Sequence, residues 1–83
     1  MKKKYIFSSI FTYENDGISI EFPDLPGCIS CGFTTDEALK MAKEALELYT
    51  NGMKEEEIPK ARQESDFKIN KANQKIFSFE VEI

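Results

Sequence analysis

Two cysteines, Cys28 and Cys31, stand three residues apart in a chain that has no histidine. A C-x-x-C pair can supply half of a tetrahedral zinc site or act as a dithiol, but zinc needs two more ligands, and neither a second cysteine pair nor an imidazole is present. On a strand, positions three apart point to opposite faces, which suits neither a shared metal nor a disulfide. The pair reads as reduced, structural thiols. Without histidine, a serine or cysteine nucleophile also lacks its usual general base. A carboxylate-and-metal nuclease would need acids converging on bound cations. No Asp or Glu interrupts Tyr5 to Tyr13, so a sheet centred there offers Ser9 and apolar groups instead. Gly27 and Gly32 form neither a Walker loop nor a dinucleotide fingerprint. The expectation is a protein that is not an enzyme and uses no cofactor and no metal.

The elements that would position these residues turn on one run, Phe22-Pro23-Asp24-Leu25-Pro26-Gly27-Cys28. Pro23 and Pro26 fix φ and remove two backbone donors, and Gly27 can take a φ that other residues resist, so the run is a shaped turn. Before it, Tyr5, Phe7, Ser9, Phe11 and Tyr13 alternate with a second set holding Ile6 and Ile10, as in an inner strand partly buried on both faces. Glu14-Asn15-Asp16-Gly17 gives a tight hairpin with positive φ at its central residues. Ile18, Ile20 and Phe22 then alternate as a half-buried antiparallel strand. Cys28 to Phe33 suits a short third strand ending at Gly32.

Thr34 caps a helix, with Glu37 reaching back to the cap amide as a capping box. Ala38, Leu39, Ala42, Ala45, Leu46 and Tyr49 form its apolar stripe, opposite Lys40, Lys43, Glu44 and Glu47. Gly52 ends the helix in a left-handed conformation. Met53 to Asp66 reads as a connection with a short helical turn at Ala61 to Glu64. Phe67 and Ile69 could begin a short strand, and Asn70 to Gln74 could turn. From Lys75 to Ile83, Phe77, Phe79, Val81 and Ile83 alternate with Ser78, Glu80 and Glu82. The fold class is α+β: one domain over residues 1–83, a small antiparallel sheet in a βββαβ order with one main helix packed on it.

A chain of 83 residues has room for one modest core. The formal charge is −4 and the sequence pI is near 4.8, which argues against general nucleic-acid binding and favours a basic partner. Alternate aromatics on the first strand could stack on single strands, but the only basic neighbours are Lys2, Lys3 and Lys4, so core packing is the better reading. No apolar run reaches the length of a membrane span. The basic start lacks an apolar signal core, so the protein is expected in the cytoplasm. Glu21, Asp24, Asp36 and Glu37 are the candidate partner-binding acids, Asp24 with Asp36 and Glu37 offering a negative patch. Pro23, Pro26, Gly27, Cys28, Thr34 and Gly52 carry the architecture. The last strand, exposed at its edge, invites a homodimer or higher homo-oligomer.

The Pro-Asp-Leu-Pro-Gly-Cys turn, followed by Gly32-Phe33-Thr34-Thr35-Asp36-Glu37-Ala38-Leu39 and Ala42-Lys43-Glu44-Ala45-Leu46-Glu47-Leu48-Tyr49, closely resembles the HicB-type antitoxins and their small HicB-like relatives over about residues 5 to 60. The resemblance implies a partial ribonuclease-H-like fold. It also implies an antitoxin that neutralises a small basic mRNA-cleaving toxin, HicA, by covering its active surface. The alternative is an orphan HicB-like module that self-associates or binds a small ligand without a toxin. Many relatives carry a C-terminal ribbon-helix-helix or helix-turn-helix segment for DNA. Residues 1–83 hold no such domain, so direct DNA binding is not expected from them.

Overall fold

The computed structural model describes residues 3–60, 67 and 72–83. Its elements run β1 (Lys4–Glu14), β2 (Gly17–Glu21), β3 (Ile29–Gly32), α1 (Thr35–Thr50), a single 3₁₀ turn (Glu55–Glu57) and β4 (Gln74–Glu82). The four strands form one antiparallel sheet in the order β3-β2-β1-β4. This is the expected α+β arrangement, with β1 as an inner strand. The expected turn at Ala61 to Glu64, and most of the strand and turn expected from Phe67 onward, lie outside the described residues.

α1 covers one face of the sheet. Phe7, Phe11, Ile18, Ile20 and Val81 point up from the strands and Ala38, Ala42 and Leu46 point down from the helix, all buried. Phe77 and Phe79 pack at the margin of this cluster, with Phe11 and Phe77 ring centroids 4.6 Å apart. Burying each large side chain contributes roughly 1.5–3 kcal/mol, which is the main stabilising term for so small a core. Ser9 sits fully buried among these groups because its hydroxyl donates to the Phe77 carbonyl at 2.8 Å. On the opposite face Ile10 is half-buried, and Ile6 is 58% exposed, so the second apolar set of β1 is only partly covered.

The hairpin differs from expectation in one detail. Its central residues are Asn15 and Asp16, neither with positive φ; that conformation falls on Gly17 (φ 142), the first residue of β2. The helix cap differs slightly too. Thr34 Oγ1 accepts from the Glu37 amide at 3.1 Å, while the Glu37 carboxylate accepts from Phe33 rather than from the cap residue's own amide. The expected box would satisfy two of the donors left open at a helix start; the observed one satisfies the Glu37 amide and uses the carboxylate to hold Phe33, the residue before the cap. At the other end Gly52 is left-handed (φ 82). The helical stripe is Ala38, Ala42, Leu46 and Thr50, with Leu39 and Ala45 beside it. Tyr49 lies at the rim instead of in the core, and buried Thr50 is satisfied by donating to the Leu46 carbonyl at 2.8 Å.

Candidate partner-binding surface

The run from Phe22 to Cys28 is two consecutive β-turns. The Leu25 amide donates to the Phe22 carbonyl and the Cys28 amide to the Leu25 carbonyl, both at 2.9 Å, and the Phe22 amide closes the loop onto the Cys28 carbonyl at 3.1 Å. Each turn has proline at its second position, where φ is preset, and the second has Gly27 at its third position with φ 86. The three hinge residues, Phe22, Leu25 and Cys28, are all buried. The Cys28 thiol lies 3.8 Å from the Ala45 carbonyl, and burial pushes its pKa up. Cys31 is exposed, and both thiols are free. The corner is thereby fastened to α1, and Tyr49 reinforces it by donating to the Pro26 carbonyl at 2.7 Å.

This geometry separates the acids that the sequence groups together. α1 runs antiparallel to β3, so Asp36 and Glu37 sit beside the β1–β2 hairpin, where the Tyr13 and Thr35 hydroxyls are 3.0 Å apart. Asp24 sits at the corner against the other end of the helix, about 20 Å away at 1.5 Å per residue. Glu21 pairs with Ile10 and Ile29 and points to the face away from α1, while buried Ile20 points toward it. These four residues occupy three places and do not form one patch. Among the described residues, no three His, Cys, Asp or Glu side chains gather as a metal site would require.

A different surface is assembled by the fold. Between the second half of α1 and the end of β4 lies an open groove of about 1000 Å³. On the helix side it is lined by Glu44, Glu47 and Leu48, and on the strand side by Val81 and the edge of β4 at Glu80 and Glu82, whose side chains alternate to the face away from α1. Leu48 is 77% exposed although it belongs to a well-packed helix. The ammonium of Lys43 donates to the Glu80 carbonyl, joining the helix to the outer edge of β4. Sequence reasoning did not single out this groove, because it depends on which strand lies beside the helix. The one local signal is Leu48, an apolar residue off the helical stripe.

A family model described as the HicB-like antitoxin of bacterial toxin–antitoxin systems matches residues 7–82. The chain belongs to the HicB-like antitoxin family. The match takes in β1 from Phe7 onward, the other three strands, the corner and α1, and extends past the C-terminal end of the region that carries the sequence resemblance. The family suggests a non-enzymatic, antitoxin role. A relative described as an uncharacterized 14.9 kDa protein in the rep–hol intergenic region of Haemophilus phage HP1 is 49% identical over 49 residues. That stretch is 57% of this chain and 37% of the relative, so the HicB-like chain matches well under half of the phage protein's length. No helix among the described residues is long and apolar enough to cross a membrane.

Proposed function

We propose that this HicB-like protein is an antitoxin that binds a small basic mRNA-cleaving toxin of the HicA type and neutralises it by stoichiometric occlusion of its active surface. The observation that carries this reading is the family match across residues 7–82. The formal charge of −4 suits a basic partner. Glu21, Asp24, Asp36 and Glu37, spread over three places, act in this reading as a field that attracts the toxin, more than as a single contact. Co-expression tests it directly. The chain should restore growth to cells expressing a small basic mRNA-cleaving toxin of the HicA type, and the two should co-purify. Failure of both rescue and binding would refute the antitoxin role.

We also propose that the protein forms a homodimer through β4. Among the described residues no strand pairs with the outer edge of β4. The Lys43 ammonium donates to the Glu80 carbonyl at one point of that edge, and the dimer would pair around Ile76. Sedimentation should show a dimer.

A further inference from the structure

We infer that a second copy pairs with β4 antiparallel along its whole length, with the two-fold axis at Ser78, and that this joins Phe77 and Phe79 of both copies into one aromatic cluster on the α1 face. This rests on the homodimer reading above. The ladder fixes which groups are on offer. Lys3 and Ile83 exchange both backbone bonds and the Tyr13 amide bonds the Asn73 carbonyl, so the odd-numbered residues of β4 bond inward to β1. Gln74, Ile76, Ser78, Glu80 and Glu82 therefore turn their amides and carbonyls outward. At the other edge of the sheet only Ile29 and Cys31 of β3 do so, because the Cys28 carbonyl bonds the Phe22 amide and the Glu37 carboxylate takes the Phe33 amide. The longer open run is that of β4.

Outward groups of one copy must meet outward groups of the other, and the registers that allow this differ in what meets on the α1 face. With the axis at Ile76, Phe77 faces the partner's Lys75 and Phe79 the partner's Asn73. With it at Phe77, Phe79 faces the partner's Lys75. With it at Ser78, Phe77 faces the partner's Phe79 and Phe79 the partner's Phe77, in the closely spaced pairs whose Cα atoms come within about 4.5 Å. The same register engages every outward residue of Gln74–Glu82. Both rings already extend the core, Phe77 lying 4.6 Å from Phe11 and Phe79 6.0 Å from Phe22, and each is only half-buried in the single chain. The partner's rings cover the remainder. No like charges meet across the axis, since Glu80 faces Ile76, Glu82 faces Gln74 and Lys75 faces Val81. Lys43 does not oppose the pairing, because the Glu80 carbonyl oxygen has two lone pairs and accepts both the ammonium and an in-plane amide. A strand of another sequence could bond the same edge, but the reciprocal match of phenylalanine to phenylalanine belongs to two copies of this one.

The test uses the full chain carrying Cys31→Ser, which removes the exposed native thiol. Adding Ser78→Cys places two thiols across the axis at a Cα spacing of about 5.5 Å, within disulfide range, and mild oxidation should cross-link them. Adding Ile76→Cys instead leaves the thiols offset by about 13 Å along the strands, and should give at least about tenfold less cross-linked dimer. Circular dichroism checks that both variants keep the fold. In the unmodified chain, hydrogen exchange should show the amides of Gln74, Ile76, Ser78, Glu80 and Glu82 protected in the dimer and released on dilution. Preferential cross-linking of Ile76→Cys, or protection that stops at Ser78, would overturn the register and leave the β4 dimer standing. A dimer in which neither variant cross-links and these amides exchange freely would overturn the register and the use of β4 together. A chain that sediments only as a monomer removes the homodimer reading, and the register with it.

Discussion

At the scale of single residues, the tightest constraint is Gly32. A Cβ there would lie 2.8 Å from both the amide nitrogen and the Cα of Ala38. Gly32→Ala should therefore cost about 1–3 kcal/mol, read as a lower thermal midpoint, because overpacking forces the backbone to shift. The cysteines make a second contrast. Cys31 is exposed and Cys28 buried, so a thiol reagent should label Cys31 at once and Cys28 only as the chain unfolds. Burial raises the folded pKa of Cys28, so the folded chain holds that proton where the unfolded chain releases it. The contribution to stability is intact below the ordinary thiol range and is lost as pH rises through the raised folded value. Denaturant midpoints measured across alkaline pH should show this decline, and Cys28→Ala should remove it.

Among the elements, α1 and the proline corner depend on few interactions. Thr34→Ala removes the acceptor for the Glu37 amide and should cost about 1 kcal/mol in thermal or urea unfolding. Leu25→Ala should cost more, about 2–5 kcal/mol, because Leu25 is fully buried where the two turns meet. These features were legible in the sequence because each is local: a cap and its partner three residues on, or a proline at the second position of a turn. The acidic patch was not legible. Asp24 and Asp36 are twelve positions apart in the sequence, but the helix reverses direction over the sheet and places them at opposite ends. The groove was hidden for a related reason, since Glu80 and Glu82 come from β4, which reaches α1 only through the pairing with β1.

For the molecule as a whole, the outer edge of β4 is where the proposed self-association would act. Lys3 and Ile83 exchange both backbone hydrogen bonds, and such pairs alternate along an antiparallel ladder. By that alternation Phe77 bonds inward to Ser9, while Ile76 presents its amide to the outer edge. Ile76→Pro should thus convert a dimer to a monomer that retains its circular dichroism spectrum, whereas Phe77→Pro should unfold the chain. The strand order that places β4 at this edge follows from the inner character of β1, which the alternation of its apolar residues made readable. Which face of β1 receives the helix was not readable, because both of its alternating sets hold apolar residues; the structure gives the helix to Phe7 and Phe11.

The contact at Gly32 also sets how this protein can recover from damage. The atoms that would obstruct a side chain there include the backbone of Ala38, so shrinking Ala38 to glycine cannot make room. A selection for revertants of Gly32→Ala should return changes in the link Phe33-Thr34 or along the underside of α1, where the whole helix can be re-seated. It should not return a partner substitution at the point of collision.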